Sequence, residues 1–194
     1  MTGVILCGGQ STRMGTDKGL LTSQATTWAQ SAMDKLKTLL CPVVLSVNAA
    51  QLESYSAVFD ASILITDDLA LDIRGPLCGL LSVHKTYPDE DLFVLACDMP
   101  FMKTEVLQEL VDVYRDSQHF NAFVYSNNNE PEPLCGIYTS KGLAYTLQLY
   151  QEDKLPKHSM KYMLDHLDTL ILPLKDDQKK YFLNINSHAA LNGL

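Results

Sequence analysis

Apolar residues fall in short unbroken runs, separated by longer stretches where they recur every three or four positions. Short runs read as buried strands and the wider spacing as helices with one apolar face. Val4-Ile5-Leu6, Pro42 to Val47, Ser62 to Thr66, Leu92 to Ala96, Asn121 to Tyr125, Leu134 to Thr139 and Thr169 to Leu174 are the predicted strands. Between them, Trp28, Ala32, Leu36 and Leu40 recur every four residues behind a Thr27/Gln30 capping-box spacing, and this helix ends before Pro42. A weaker helix is expected from Gln51 to Phe59 and another from near Leu77, where Gly75-Pro76 sets a helix start. Further helices are read over Glu105 to Arg115, Lys141 to Gln151, Ser159 to Leu167 and a short one from about Ser187. The polar stretch Ser126 to Pro133 reads as a loop and Asp176 to Lys180 as a charged turn.

Strands alternating with helices through short loops predict a three-layer, doubly wound α/β sandwich, Rossmann-like, with a mostly parallel sheet and helices on both faces. The chain of 194 residues suits one domain over 1–194.

The first strand runs into Cys7-Gly8-Gly9-Gln10-Ser11-Thr12-Arg13-Met14-Gly15-Thr16-Asp17-Lys18. Glycines there let backbone N–H groups approach an anion, and Arg13 and Lys18 add positive charge. The spacing is neither that of a P-loop nor the dinucleotide pattern G-x-G-x-x-G. An ordinary glycine-rich turn with two surface cations is the bland alternative, and Asp17 reads as a loop acid pairing with Arg13 or Lys18.

Net charge is -8, so a broad nucleic-acid surface is not expected, and an anionic ligand would need a few local cations and a metal. Five cysteines stand singly without a CxxC pair, which suggests neither zinc nor a disulfide framework and points to a reduced, cytoplasmic setting. No segment approaches membrane-spanning length, so no membrane partner is expected.

The most hydrophobic strand ends in Cys97-Asp98-Met99-Pro100-Phe101. A carboxylate at the carboxyl end of a central strand is where open α/β sheets place ligand chemistry, although Asp before a proline-containing turn also caps turns. Magnesium needs one or two hard carboxylates and shares the rest of its shell with water and phosphate, which makes Asp98 the candidate metal ligand. Trp28 reads as core, and His84 as a surface or edge residue rather than a base.

The string GGQSTRMGTDKGLL closely resembles the signature loop of the molybdenum cofactor guanylyltransferases, a branch of the nucleotidyltransferases. Asp68 with Gly75-Pro76-Leu77 and Gly79, the stretch Cys97 to Phe101, and Phe182 to Ser187 resemble three further motifs of that family in the same order. The resemblance implies transfer of GMP from GTP to the terminal phosphate of molybdopterin, with pyrophosphate released. It implies Leu6, Cys7, Gly8, Gly9, Ser11, Gly15, Asn48, Asp68 and Gly75 as nucleotide contacts, and Lys18 on the phosphates. It places Asp98 on both magnesium and phosphate, with Arg13, Lys18 and Asp98 as the catalytic set and Asn184 and Asn186 towards the acceptor. Cofactor-delivery proteins and molybdoenzymes are the implied protein partners. Cys7 stands where the family usually has alanine, Ala49 where an arginine follows the asparagine, Gln24 and Thr26 where Gly and Pro are usual, and Glu132 opens a Pro-Leu pattern usually begun by Gln or His. Two other readings remain open at this stage: a sister enzyme using CTP or another phosphorylated acceptor, and a non-catalytic nucleotide-binding adapter.

Overall fold

The computed structural model describes residues 1–8, 17–23, 25–39, 42–117 and 119–184. A seven-stranded sheet forms the middle layer. Its strands are β1 (Thr2–Leu6), β4 (Val43–Val47), β5 (Leu64–Thr66), β6 (Leu92–Ala96), β7 (Ala122–Asn127), β8 (Glu130–Tyr138) and β9 (Thr169–Pro173). They lie in the order β5-β4-β1-β6-β8-β7-β9. β8 runs antiparallel to both neighbours and the other pairings are parallel. Two short strands, β2 (Thr22–Ser23) and β3 (Thr26–Thr27), form a separate small hairpin that the sequence pattern does not announce.

The helices cover both faces because the central strands β1, β4 and β6 are buried at every position. In β6, Phe93 and Leu95 point into one core with α1 (Trp28–Lys37) and α4 (Thr104–Asp116). Leu92 and Val94 point into the other, with α3 (Pro76–Thr86), α5 (Ser140–Gln151) and α6 (Met160–Leu164). The five residues of β6 are buried on both sides, as a central strand between two helical layers must be. α4 shows the matching helical pattern: Val106, Leu107, Leu110 and Val111 are buried on a single stripe.

At α1, Thr27 Oγ accepts from the Gln30 backbone N–H at 3.1 Å, but the Gln30 side chain turns to Asp34 and the return half of the capping box is not made. The expected helix over Gln51 to Phe59 is only α2 (Leu52–Ser56), and that over Ser159 to Leu167 contracts to α6. His84 is buried on α3 with Nδ1 unpartnered, so the surface reading of that residue is corrected; burial pushes its pKa down and keeps the ring neutral. The expected helix from Ser187 lies outside the described residues.

The largest correction concerns Ser126 to Pro133. β7 and β8 form a hairpin there, turning at Asn128 and Asn129 with φ of 52° and 66°. Two successive asparagines in the left-handed region are what a tight hairpin turn requires. Pro131 and Pro133 argue against a strand interior, yet β6 pairs only with residues 135–138 of β8. Their missing N–H groups therefore interrupt no ladder on that side.

Candidate active site

β1 is the strand from which the chain first crosses to one side, through α1 to β4, and later to the other, through α3 to β6. The crevice at the carboxyl ends of β1 and β6 is thus the switch point of the sheet, where open α/β folds bind ligands. Asp98 follows β6 by two residues, and Lys18 stands on a 3₁₀ turn, Lys18–Leu20. Lys18 Nζ meets Asp98 Oδ2 at 3.1 Å, with both side chains partly exposed. The structure thus joins two residues 80 positions apart, one from the phosphate loop and one from the central strand.

The loop's return is pinned by a network that sequence patterns do not reveal. The Asp17 carboxylate accepts from Tyr55 Oη at 2.8 Å, from Gly19 N at 2.9 Å and from the Gln51 amide. Gln51 Nε2 also donates to the Cys7 carbonyl at 2.9 Å, while Gln51 and Asn48 exchange two hydrogen bonds at 2.9 and 3.1 Å. Asp17 is therefore an anchor for the loop end, with partners on α2 and just before it. Gly19 is part of the fit, since a Cβ there would stand 2.0 Å from Tyr55 Oη.

Where β1, β4 and β5 end opens a cavity of about 730 Å³ whose lining includes Leu6, Gly8, Asn48, Asp67, Gly75 and Gly79. Its size suits a nucleoside. Leu6, Gly8, Asn48 and Gly75 thus come together on one cavity. Cys7 does not reach it through backbone: its N–H donates to the Ser46 carbonyl at 2.9 Å and its C=O accepts from Gln51. The Cys7 side chain instead hydrogen-bonds Cys97, and that contact together with burial holds the Cys97 thiol well above its usual pKa. Gly9, Ser11, Arg13, Gly15 and Asn186 lie outside the described residues, and Asn184 is exposed.

Asp68 turns away from the cavity. Its carboxylate pairs with Lys85 and accepts from Ala70 N at 2.8 Å, and Lys85 holds its pKa down. The preceding residue, Asp67, lines the cavity instead. Its Oδ1 is buried without a partner, and desolvation raises its pKa. Such an oxygen lacks the hydrogen bonds that water would supply, so the site favours a ligand that brings N–H donors. The adjacency of two aspartates left this choice invisible in the sequence.

Gly75, at φ 78°, makes the turn into α3 in a backbone region that L side chains adopt at a cost. Gly79 allows α3 to press on β4: a Cβ there would lie 2.4 Å from Ser46 Oγ and 3.5 Å from Asp67 Oδ1. Gly79→Ala is expected to push α3 off the sheet, with a cost of about 1–3 kcal/mol and a melting temperature lower by several degrees. The same displacement widens the cavity wall, so a thermal melt and a GTP titration should move together.

One hard carboxylate at the crevice fits a divalent cation that completes its shell with phosphate oxygens and water. Among the described residues no group of three or more His, Cys, Asp and Glu stands together. No helix among the described residues is long and apolar enough to cross a membrane.

A mostly parallel sheet, a glycine-bordered cavity at the carboxyl ends of its strands and a Lys–Asp pair just past the end of β6 define a nucleotide-handling α/β protein. The model of the MobA-like NTP transferase domain matches residues 3–169, and the chain belongs to that family of nucleotidyltransferases. A probable molybdenum cofactor guanylyltransferase of Flavobacterium johnsoniae is 28% identical over 196 residues, covering 100% of this chain and 96% of the relative. A molybdenum cofactor guanylyltransferase of Campylobacter jejuni is 28% identical over 183 residues, covering 94% of this chain and 89% of its own. In fold, the chain is similar to the crystal structure of molybdopterin-guanine dinucleotide biosynthesis protein A from Archaeoglobus fulgidus, with a TM-score of 0.80 at 22% identity, over 100% of this chain and 96% of that one.

Proposed function

We propose that this protein transfers GMP from GTP to the terminal phosphate of molybdopterin, releasing pyrophosphate and forming the guanine dinucleotide of the cofactor. The family membership and the named relatives support the reaction. The observation in the site that carries the nucleotide is the buried, unpartnered Oδ1 of Asp67 on a nucleoside-sized cavity. Guanine offers N1–H and the 2-amino group side by side, a two-donor edge that a carboxylate accepts.

The reactants are both anions, and the acceptor phosphate is already ionised near neutral pH. Catalysis is therefore a matter of holding the two in line and offsetting charge, with little proton transfer. Lys18, at the floor of the crevice, supports the triphosphate and the departing pyrophosphate; Arg13 acts from the same loop, with Gly9, Ser11 and Gly15 offering backbone. Magnesium, held by Asp98, would supply electrostatic screening of the α-phosphate. Asn184 and Asn186 serve the acceptor. Buried free thiols at Cys7, Cys78, Cys97 and Cys135 agree with a reducing cytoplasm, where the product would pass to delivery proteins and molybdoenzymes.

The test is purified protein with magnesium and each nucleoside triphosphate, with and without molybdopterin, scored for pyrophosphate. Release with GTP alone among the nucleotides, and only when molybdopterin is present, is the expected result. A preference for CTP would move the assignment to the sister chemistry, and nucleotide binding without pyrophosphate to the adapter.

A further inference from the structure

Asp98 and Lys18 account for the phosphates and Asp67 for the nucleobase, but a second orphaned acceptor lies elsewhere at the same end of the sheet. β6 and β8 run antiparallel with Leu95 beside Cys135. Asp98 comes three residues after Leu95, just past the end of β6, and Glu132 three residues before Cys135 on β8, so both chains rise from that pair towards the crevice. Glu132 pairs with Tyr125 of β7 at a break in register after Val124, a bulge of the kind that re-aims side chains near active sites. Its backbone is fixed on the following residue, because Tyr138 Oη donates to the Pro133 carbonyl at 2.7 Å.

Glu132 is half-buried with the Asn127 side chain beside it. Asn127 Oδ1 is buried and has no partner. Burial also pushes the Glu132 pKa up, the signature of a carboxylate short of donors. The nearby cation, Lys161, is committed to Glu130 at 2.8 Å. Two acceptors thus stand together, one anionic and one neutral, and the neutral one is left without a donor.

Resting on the reaction proposed above, we propose that Glu132 and Asn127 form the subsite that reads the ring of the acceptor, accepting hydrogen bonds from a 2-amino-4-oxo pyrimidine edge such as a pterin presents. That edge carries an N3–H and an adjacent amino group, two donors for two acceptors. The phosphate end of the acceptor is excluded from this place, since a carboxylate repels it. The acceptor therefore lies with its ring over the β7–β8 hairpin and its phosphate towards Asp98. Glu132 in this reading sets acceptor specificity and leaves the nucleotide half untouched.

The experiment compares Michaelis constants for molybdopterin and for GTP in the wild type, Glu132→Leu, Glu132→Gln and Asn127→Ala, with a thermal melt of each. Glu132→Leu is expected to raise the constant for molybdopterin about ten-fold or more, the loss of one charge-assisted hydrogen bond. Glu132→Gln, which keeps one acceptor oxygen, should lie between it and the wild type, while the GTP constant stays within two-fold throughout. A merely structural role would lower the melting temperature and move both constants together, and that result overturns the subsite, as does an unchanged molybdopterin constant in Glu132→Leu. A wild type that does not transfer from GTP to molybdopterin overturns the proposed reaction instead. The subsite is then decided by fluorescence titration with 6-hydroxymethylpterin and its 2-oxo lumazine counterpart. Wild-type preference for the pterin, lost in Glu132→Leu, upholds it; absence of that preference overturns it.

Discussion

Asp98→Ala is expected to lower pyrophosphate release about 10³-fold while leaving the fold intact. The structure brings this carboxylate against Lys18, and in the proposed reaction its removal takes away the hard oxygen that would hold a divalent cation between the substrates. Single electrostatic groups aimed at developing phosphoryl charge contribute about 10²–10³ in turnover, and the loss of the cation adds to that. GTP affinity should change less, because the cavity lined by Asn48, Asp67 and Gly75 is untouched. The Lys18–Asp98 pair is partly exposed, so its loss has a small effect on the melting temperature. Single-turnover assays with equal loading of GTP separate the two; turnover within ten-fold of the wild type would remove Asp98 from the catalytic set.

The second large effect concerns nucleotide choice. In Asp67→Asn the amide presents its own donors towards the donor edge of guanine and keeps only one acceptor, so the Michaelis constant for GTP should rise about 10²-fold. The preference for GTP over ITP, which lacks the 2-amino group, should collapse in the same variant. Asp68→Asn is the matched control: its carboxylate faces Lys85 and not the cavity, and the GTP constant should stay within two-fold. Stability moves the opposite way from activity. Desolvation raises the folded-state pKa of Asp67 above its unfolded value, so the folded protein binds that proton more tightly. The fold is therefore most stable below the unfolded pKa and loses stability as pH rises through the raised one. Asp67→Asn removes that loss, and its melting temperature at pH 7 should exceed that of the wild type, with a flatter dependence on pH. Equal GTP constants for wild type and Asp67→Asn would sink the role assigned to this oxygen.

Much of the site is legible in the chain because it rests on local chemistry. A glycine-ended strand, a lysine, an aspartate after the most apolar strand and a Gly-Pro helix start are each local features, and Leu6, Gly8, Asn48 and Gly75 do meet on one cavity. The choice between Asp67 and Asp68 was not legible, since consecutive residues at a strand end differ only in which way the backbone leaves the sheet. Gln51 and Tyr55 were missed for a related reason: they read as the start and the apolar face of a weak helix. Their function comes from distant partners, the Cys7 carbonyl and the Asp17 carboxylate. Glu132 was read as part of a loop, because two prolines hid a strand whose edge at that point faces no ladder.

What the sequence by itself determined is the class of architecture: unbroken apolar runs demand burial on both faces, so helices must cover both sides of a mostly parallel sheet, and the strand ends then carry the polar residues. What only the tertiary structure decided is which polar atoms are left wanting. Hydrogen-bond satisfaction is a property of the packed neighbourhood, so the orphaned oxygens of Asp67 and Asn127 exist only once α3 has closed on β4 at Gly79 and the β7–β8 hairpin has formed.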